Sequence, residues 1–290
     1  MQSSEDIAPI SGARKLLLVV KYEWLKHFRK KRLYITLFLS ITVLLLLNIL
    51  LPYLMAPLAG FSFPGDTPLD FLGGGFFGPL GNVWLVLVIL AIFFGSDSMS
   101  TEFENKTGAL LFPNPIKRET IVTGKYSASM LMMTIVLTVY YFITWIFTMV
   151  FFGSSAGSLF VPFLWSYGIC ILIAAGLLAT TFMLSAVFNK SMVTSIIVFF
   201  LFIIIMNIVG GIFNMAVSQG NFQFEPWFLI SYDADLIALI MDYPAEHFTL
   251  GPMGWSGVPE ILTGLLTVLI GYIIVPMGIA TVIYKRRDIS

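Results

Sequence analysis

Residues 126–189 read YSASMLMMTIVLTVYYFITWIFTMVFFGSSAGSLFVPFLWSYGICILIAAGLLATTFMLSAVFN, 64 consecutive positions without an acid or a base. A helix needs about 20 apolar residues to cross about 30 Å of hydrocarbon. The stretch is therefore too long for one crossing and suits two. Gly153-Ser154-Ser155-Ala156-Gly157 is a turn-rich patch in its middle and marks the break. Other charge-free stretches flank it: Leu33–Gly65, Phe71–Ser96, Ser191–Phe224 and Ile261–Tyr284. The chain is 58% hydrophobic and 11% charged, with a mean hydropathy of +0.92, against about 25% charge in a soluble domain. The reading is an all-α integral membrane protein with six transmembrane helices, expected at about 33–54, 79–99, 127–152, 160–188, 192–217 and 260–284. Segments of about ten residues with alternating polarity, the mark of a membrane β-barrel, do not occur.

The basic residues set the expected orientation. Arg14, Lys15, Lys21, Lys26, Arg29, Lys30, Lys31 and Arg32 precede the first span; Lys106, Lys117, Arg118 and Lys125 lie between the second and third; Lys190 lies between the fourth and fifth; Lys285, Arg286 and Arg287 follow the sixth. These are all sixteen Lys and Arg residues of the chain. The positive-inside rule places both termini in the cytoplasm of a multi-pass plasma-membrane protein. The first twelve residues lack the apolar core of a cleavable signal, so the first span is expected to act as its own insertion signal.

Residues 1–32 form a cytoplasmic N-terminus in which Ala13, Leu17, Val20, Trp24 and Phe28 fall on one helical face, opposite Lys15, Lys26 and Arg29. This predicts an interfacial amphipathic helix, anchored by Trp24 and by the cluster Arg29, Lys30, Lys31 and Arg32 against lipid phosphates. Residues 218–259 form an outer loop in which Ser231, followed by Asp233, Asp235, Leu236, Ile237, Ile240 and Met241, reads as a capped short helix dipping towards the membrane. Residues 285–290 form a cytoplasmic tail. Pro276, with Gly271 and Gly278 nearby, predicts a bend in the last span.

Several function classes lack their residues. Net charge is zero, so nothing points to nucleic acid. Cys170 is the single cysteine, and His27 and His247 are the two histidines, far apart in sequence; no metal site is expected. Met130, Met132 and Met133 read as packing residues. Gly124-Lys125 resembles the end of a phosphate-binding loop, but Glu119 stands where glycine is needed and Tyr126 where Ser or Thr is needed. The spans hold no interior ionisable group of the kind an intramembrane enzyme or proton relay requires. Asn48, Asn207 and Asn214 are the polar candidates to line a translocation path, with interhelical hydrogen bonding as the alternative role.

The loop over 100–125 carries the most specific pattern. Ser100 or Thr101 caps a short helix with Glu102 and Glu104 in its first turn; Lys106, Thr107 and Gly108 follow, then the apolar run Leu110, Leu111 and Phe112, then Pro113 and Pro115. Glu104, Thr107, Pro115, Ile116, Arg118, Ile121, Val122 and Lys125 resemble, in type and spacing, the first cytoplasmic loop of ABC-2 family permeases. The departure is Pro113-Asn114, where small or mixed residues are usual. The resemblance implies a type V exporter-like fold with six spans and an N-terminal elbow helix. It also implies a coupling loop that docks on a separate ATP-binding subunit through Glu102, Glu104, Lys106, Thr107, Leu110, Leu111, Phe112, Pro115, Arg118 and Lys125. It further implies two copies of that subunit carrying ATP and Mg, no cofactor in this chain, and a second permease chain in a homo- or heterodimer. The competing reading is a non-ABC polytopic protein, a channel or an assembly scaffold.

Overall fold

A computed structural model describes residues 12–29, 31–59, 63–73, 78–104, 117–218, 226–242 and 261–286. Every regular element among them is helical. In chain order these are α1 (Gly12–Arg29), α2 (Arg32–Leu45), α3 (Leu51–Ala59), α4 (Pro68–Gly73), α5 (Val83–Gly95), α6 (Ser100–Glu104), α7 (Arg118–Phe152), α8 (Phe160–Val187), α9 (Ser191–Phe199), α10 (Met206–Ser218), α11 (Ile230–Ala234), α12 (Leu236–Leu239), α13 (Ile261–Thr267) and α14 (Val275–Arg286). Three wider π-turn stretches join neighbours into longer rods: Leu46–Leu50 joins α2 to α3, Phe200–Ile205 joins α9 to α10, and Val268–Ile274 joins α13 to α14.

Four helical stretches among the described residues are long and apolar enough to cross a membrane: Leu33–Leu58, Arg118–Val187, Ser191–Phe213 and Ile261–Arg286. The second is 70 residues long and is a hairpin. α7 and α8 are separated by a 3-10 turn over Gly153–Leu159, in the Gly/Ser-rich patch, where Gly153 takes φ 56°, a conformation that favours glycine. Ring contacts pair Tyr126 with Phe182, Tyr141 with Tyr167, and Trp145 with Phe163. One index rises as the other falls, which is the signature of antiparallel packing.

The core lies in α5, α7 and α8. Val83, Val86, Leu87, Val88, Leu90, Ala91 and Phe94 of α5 are all buried, as are Leu177, Leu178 and Phe182 of α8. The three π-containing rods sit at the periphery and expose large apolar side chains such as Phe38, Leu50, Phe200, Ile208, Leu262 and Ile274. That is stable where the surroundings are lipid rather than water, and helix association then rests on close packing and hydrogen bonds.

The helix expected over 79–99 is shorter, Val83–Gly95; it is entered and left by turns, since Ser98 N closes onto Gly95 O at 3.2 Å. Thirteen residues reach about 20 Å. The helix expected from 127 begins nine residues earlier, at Arg118, just beyond Pro115. Ser231 does not cap the short outer helix: α11 is preceded by Leu229 as its N-cap, and Ser231 lies within it. In the last rod the π-turn over Val268–Ile274 precedes buried Pro276, whose missing N–H disrupts the regular ladder there.

Candidate functional site

The basic segments meet at one end of the bundle. α1 lies along the first turns of α7, so close that a Cβ on Gly124 would stand 2.7 Å from Val19 Cγ1. Its packed side is formed by Leu16, Val19, Glu23 and the buried His27, whose ring meets Phe94 edge-on at 5.6 Å. The apolar stripe that the sequence assigns to the lipid interface lies on another side of the helix. Leu17 is 65% exposed and Trp24 40%, so the apolar stripe of residues 17 and 24 points away from the protein. The packed side carries Glu23 against buried Lys125, and helical periodicity alone does not show where that base lies.

The placing of Lys125 is corrected. It is 2% exposed and does not sit at an open surface for a partner subunit. Its Nζ lies 3.2 Å from Glu23 Oε1 and donates to Ser98 O at 3.0 Å. Lys26 Nζ donates to Glu23 Oε2 at 3.0 Å. Burial pushes the Glu23 carboxyl up, but Lys125 and Lys26 outweigh it and hold the group below its ordinary value of 4.5. One ion pair thus fastens three segments: α1, α7 and the turn after α5.

Arg118 does not lie in a loop either. It begins α7, and its Nη1 donates to Lys285 O at 2.8 Å and Tyr284 O at 3.5 Å, satisfying carbonyls at the end of α14. Beside it Lys285 pairs with Glu119.

α6 continues from the turn after α5 and is held by residues far away in sequence. Ser185 Oγ, on α8, accepts from Met99 N and Ser100 N, each at 3.1 Å, and donates to Ser96 O at 2.9 Å. It acts as an N-cap supplied by another helix, using amides that a helix start leaves without intrahelical partners. Ser195 Oγ, near the start of α9, donates to Ser96 Oγ at 2.9 Å. At its other end α6 presents Glu104, whose Oε2 accepts from Ser191 N at 3.4 Å, placing a carboxylate at the positive end of α9. We expect Ser185→Ala to lower thermal stability by about 1–2 kcal/mol and to speed amide exchange at Met99 and Ser100, while Ser185→Thr retains most of the protection. Unchanged exchange in Ser185→Ala would remove the cap assignment.

Other expected site residues are spread out. Glu102 is in α6, its side chain outside the described residues, which also exclude Lys106, Thr107, Leu110, Leu111, Phe112 and Pro115. Arg29 and Lys31 are exposed; Lys30 and the Arg32 side chain are not among the described positions. Asn48 takes the interhelical role that stood beside a path role in the sequence reading. It is fully buried inside the chain, and Asn82 Nδ2 donates to its Oδ1 at 3.5 Å. Asn207 is exposed, and its Nδ2 donates to Ile203 O at 2.8 Å, serving a carbonyl of the π-turn. The Asn214 side chain is outside the described set.

Sequence reasoning missed Glu23, Ser185 and Asn82. Only Glu23 left a signal, as the single acid among residues 13–32. The serine and the asparagine acquire their roles from helices that are distant along the chain.

The sequence model of the family described as ABC-2 family transporter protein matches residues 17–289. The chain belongs to the ABC-2 transporter family. It is a membrane permease subunit of an ABC transporter, a transport component rather than a catalytic one, and ABC-2 permeases work with ATP-binding subunits. A comparison with curated proteins gives no match.

Proposed function

We propose that the permease is the membrane half of an exporter in the plasma membrane, with six spans and both termini cytoplasmic, powered by two separate ATP-binding subunits that carry ATP and Mg. Two permease chains pair to enclose the cargo path. The ATP-binding subunit docks on residues 100–125, with Glu102, Lys106, Thr107 and the apolar residues Leu110, Leu111 and Phe112 forming the contact. One observation supports this: the short helix that opens the loop is bonded into the core rather than hung from it, through Ser185 on α8 and Ser191 on α9. A push on the loop would reach α8 and α9 through these bonds, and α7 through Arg118 and Lys125.

The test is affinity purification from cells that also express the neighbouring genes. We expect an ATPase to co-purify and to be lost with Leu111→Asp. Glu104→Arg is a second variant, but it also removes the carboxylate from the start of α9, so its loss alone decides less. Recovery of the intact permease without an ATPase, or with one indifferent to Leu111→Asp, would sink the docking site.

A further inference from the structure

The opposite end of the bundle holds a buried acid. α11 and α12 form a small cap over α8, α13 and the π-turn of the last rod. The cap is held by Ser166 Oγ, which donates to Ile237 O at 2.6 Å, and by Tyr272. The Tyr272 hydroxyl donates to Phe228 O at 2.6 Å and accepts from Ile230 N at 3.4 Å. Asp233 of α11 is 1% exposed. Its amide is used in the first turn, donating to Leu229 O at 3.1 Å. Neither carboxylate oxygen has a hydrogen-bond partner among the described residues. The group lies flat on Gly264 of α13, where a Cβ would stand 2.9 Å from Asp233 Oδ1 and 2.9 Å from Leu236 Cδ1. Glycine leaves the room that the carboxyl occupies.

Among the described residues no cation faces this acid from the elements packed around it. α10, α12 and α13 carry no titratable residue; α8 carries Tyr167 and Cys170; the π-turn carries Tyr272, whose proton is committed to Phe228 O. A further titratable neighbour among the described residues is Asp235, an acid that raises the cost of a charge on Asp233. An ionised carboxylate without a donor or counter-charge is strongly disfavoured away from water, whereas the protonated acid is a neutral group of the same shape.

The geometry points to Asp233 as a proton-binding latch: the cap formed by α11 and α12 closes onto α13 with this carboxyl protonated, and loss of the proton releases it. Burial first, with repulsion from Asp235 added, pushes Asp233 up to about 8 from an ordinary 3.8; burial alone pushes Asp235 up to about 7. The sign follows from linkage. The closed cap binds the proton more tightly than the open one, so closure is fully favoured below the ordinary value. It weakens as pH rises through the window up to about 8, and is constant above it. One linked proton changes the open-to-closed ratio by about tenfold per pH unit within that window. The inference stands apart from the docking of an ATP-binding subunit and from the direction of transport.

The experiment uses the full chain in lipid nanodiscs. Infrared spectra at pH 6 should show a protonated-carboxyl band that weakens in Asp233→Asn and titrates away towards pH 9; Asp235→Asn separates the second carboxyl. Absence of the band in the unaltered chain overturns the latch without needing any variant to fold. Amide exchange of residues 230–242, corrected for its intrinsic pH dependence, should lose up to about tenfold in protection per pH unit between pH 5 and 8 through Asp233. Asp233→Asn should remove that portion of the slope. An unchanged slope in Asp233→Asn also overturns the proposal.

Discussion

Replacing Glu23 with alanine should lower the stability of the permease by about 3 kcal/mol, the usual cost of stranding one partner of a buried ion pair. Lys125, 2% exposed, would keep Ser98 O as an acceptor but lose the carboxylate at 3.2 Å. The double replacement Glu23→Leu with Lys125→Met removes both charges and should recover most of the loss, because an apolar pair of similar volume is often neutral or better. Thermal unfolding of Glu23→Ala, of the singles Glu23→Leu and Lys125→Met, and of the double variant in detergent measures this. A double variant no better than the sum of the singles would mean that the pair is not coupled. The carboxyl of Glu23 is held below 4.5, so its contribution is present above that value and fades as pH falls through the lower folded one. The part of acid destabilisation that Glu23→Gln abolishes should therefore lie below pH 4.5.

Gly95→Leu should prevent the permease from folding. Gly95 ends α5 against α8, where a bare Cβ would already stand 2.7 Å from Thr181 Cγ2 and 3.2 Å from Leu178 Cδ1. Thr181 has little freedom to yield: it is β-branched, and its Oγ1 donates to Leu177 O at 2.7 Å. Gly95→Ala should cost about 1–3 kcal/mol through overpacking, and Thr181→Ser, which deletes the obstructing methyl, should restore part of it. Gly95→Leu is read from the yield of monodisperse protein, and the alanine pair from thermal unfolding. Normal yield and unfolding temperature for Gly95→Leu would contradict the close approach. The position matters beyond stability, since the turn that follows Gly95 leads into α6, and any separation of α5 from α8 would also pull Ser185 from the amides it caps.

Much of this architecture was legible along the chain. The hydrophobic runs and the Gly/Ser patch near residue 153 located the α7–α8 hairpin, because solvation by lipid acts on each helix separately. The loop pattern from Glu104 to Lys125 pointed to the ABC-2 family, which the match over residues 17–289 shows. What the sequence misplaced or left open shares one cause. Lys125 looked like a base open to a partner subunit, and Asn48 stood between a path role and an interhelical one. Each was judged by its own neighbours in sequence, while its environment is set by a distant partner, Glu23 for Lys125 and Asn82 for Asn48.

By itself, then, the sequence determined that the protein is helical and membrane-bound, where its apolar helices lie, and which family it belongs to. These follow from composition, periodicity and local motif, properties carried by contiguous residues. Only the tertiary structure decided that Lys125 is a buried clasp, that Ser185 caps α6 from another helix, and that Asp233 lies unpaired against Gly264. Those roles depend on desolvation and on partners tens of residues away, and both come into being only when the helices pack.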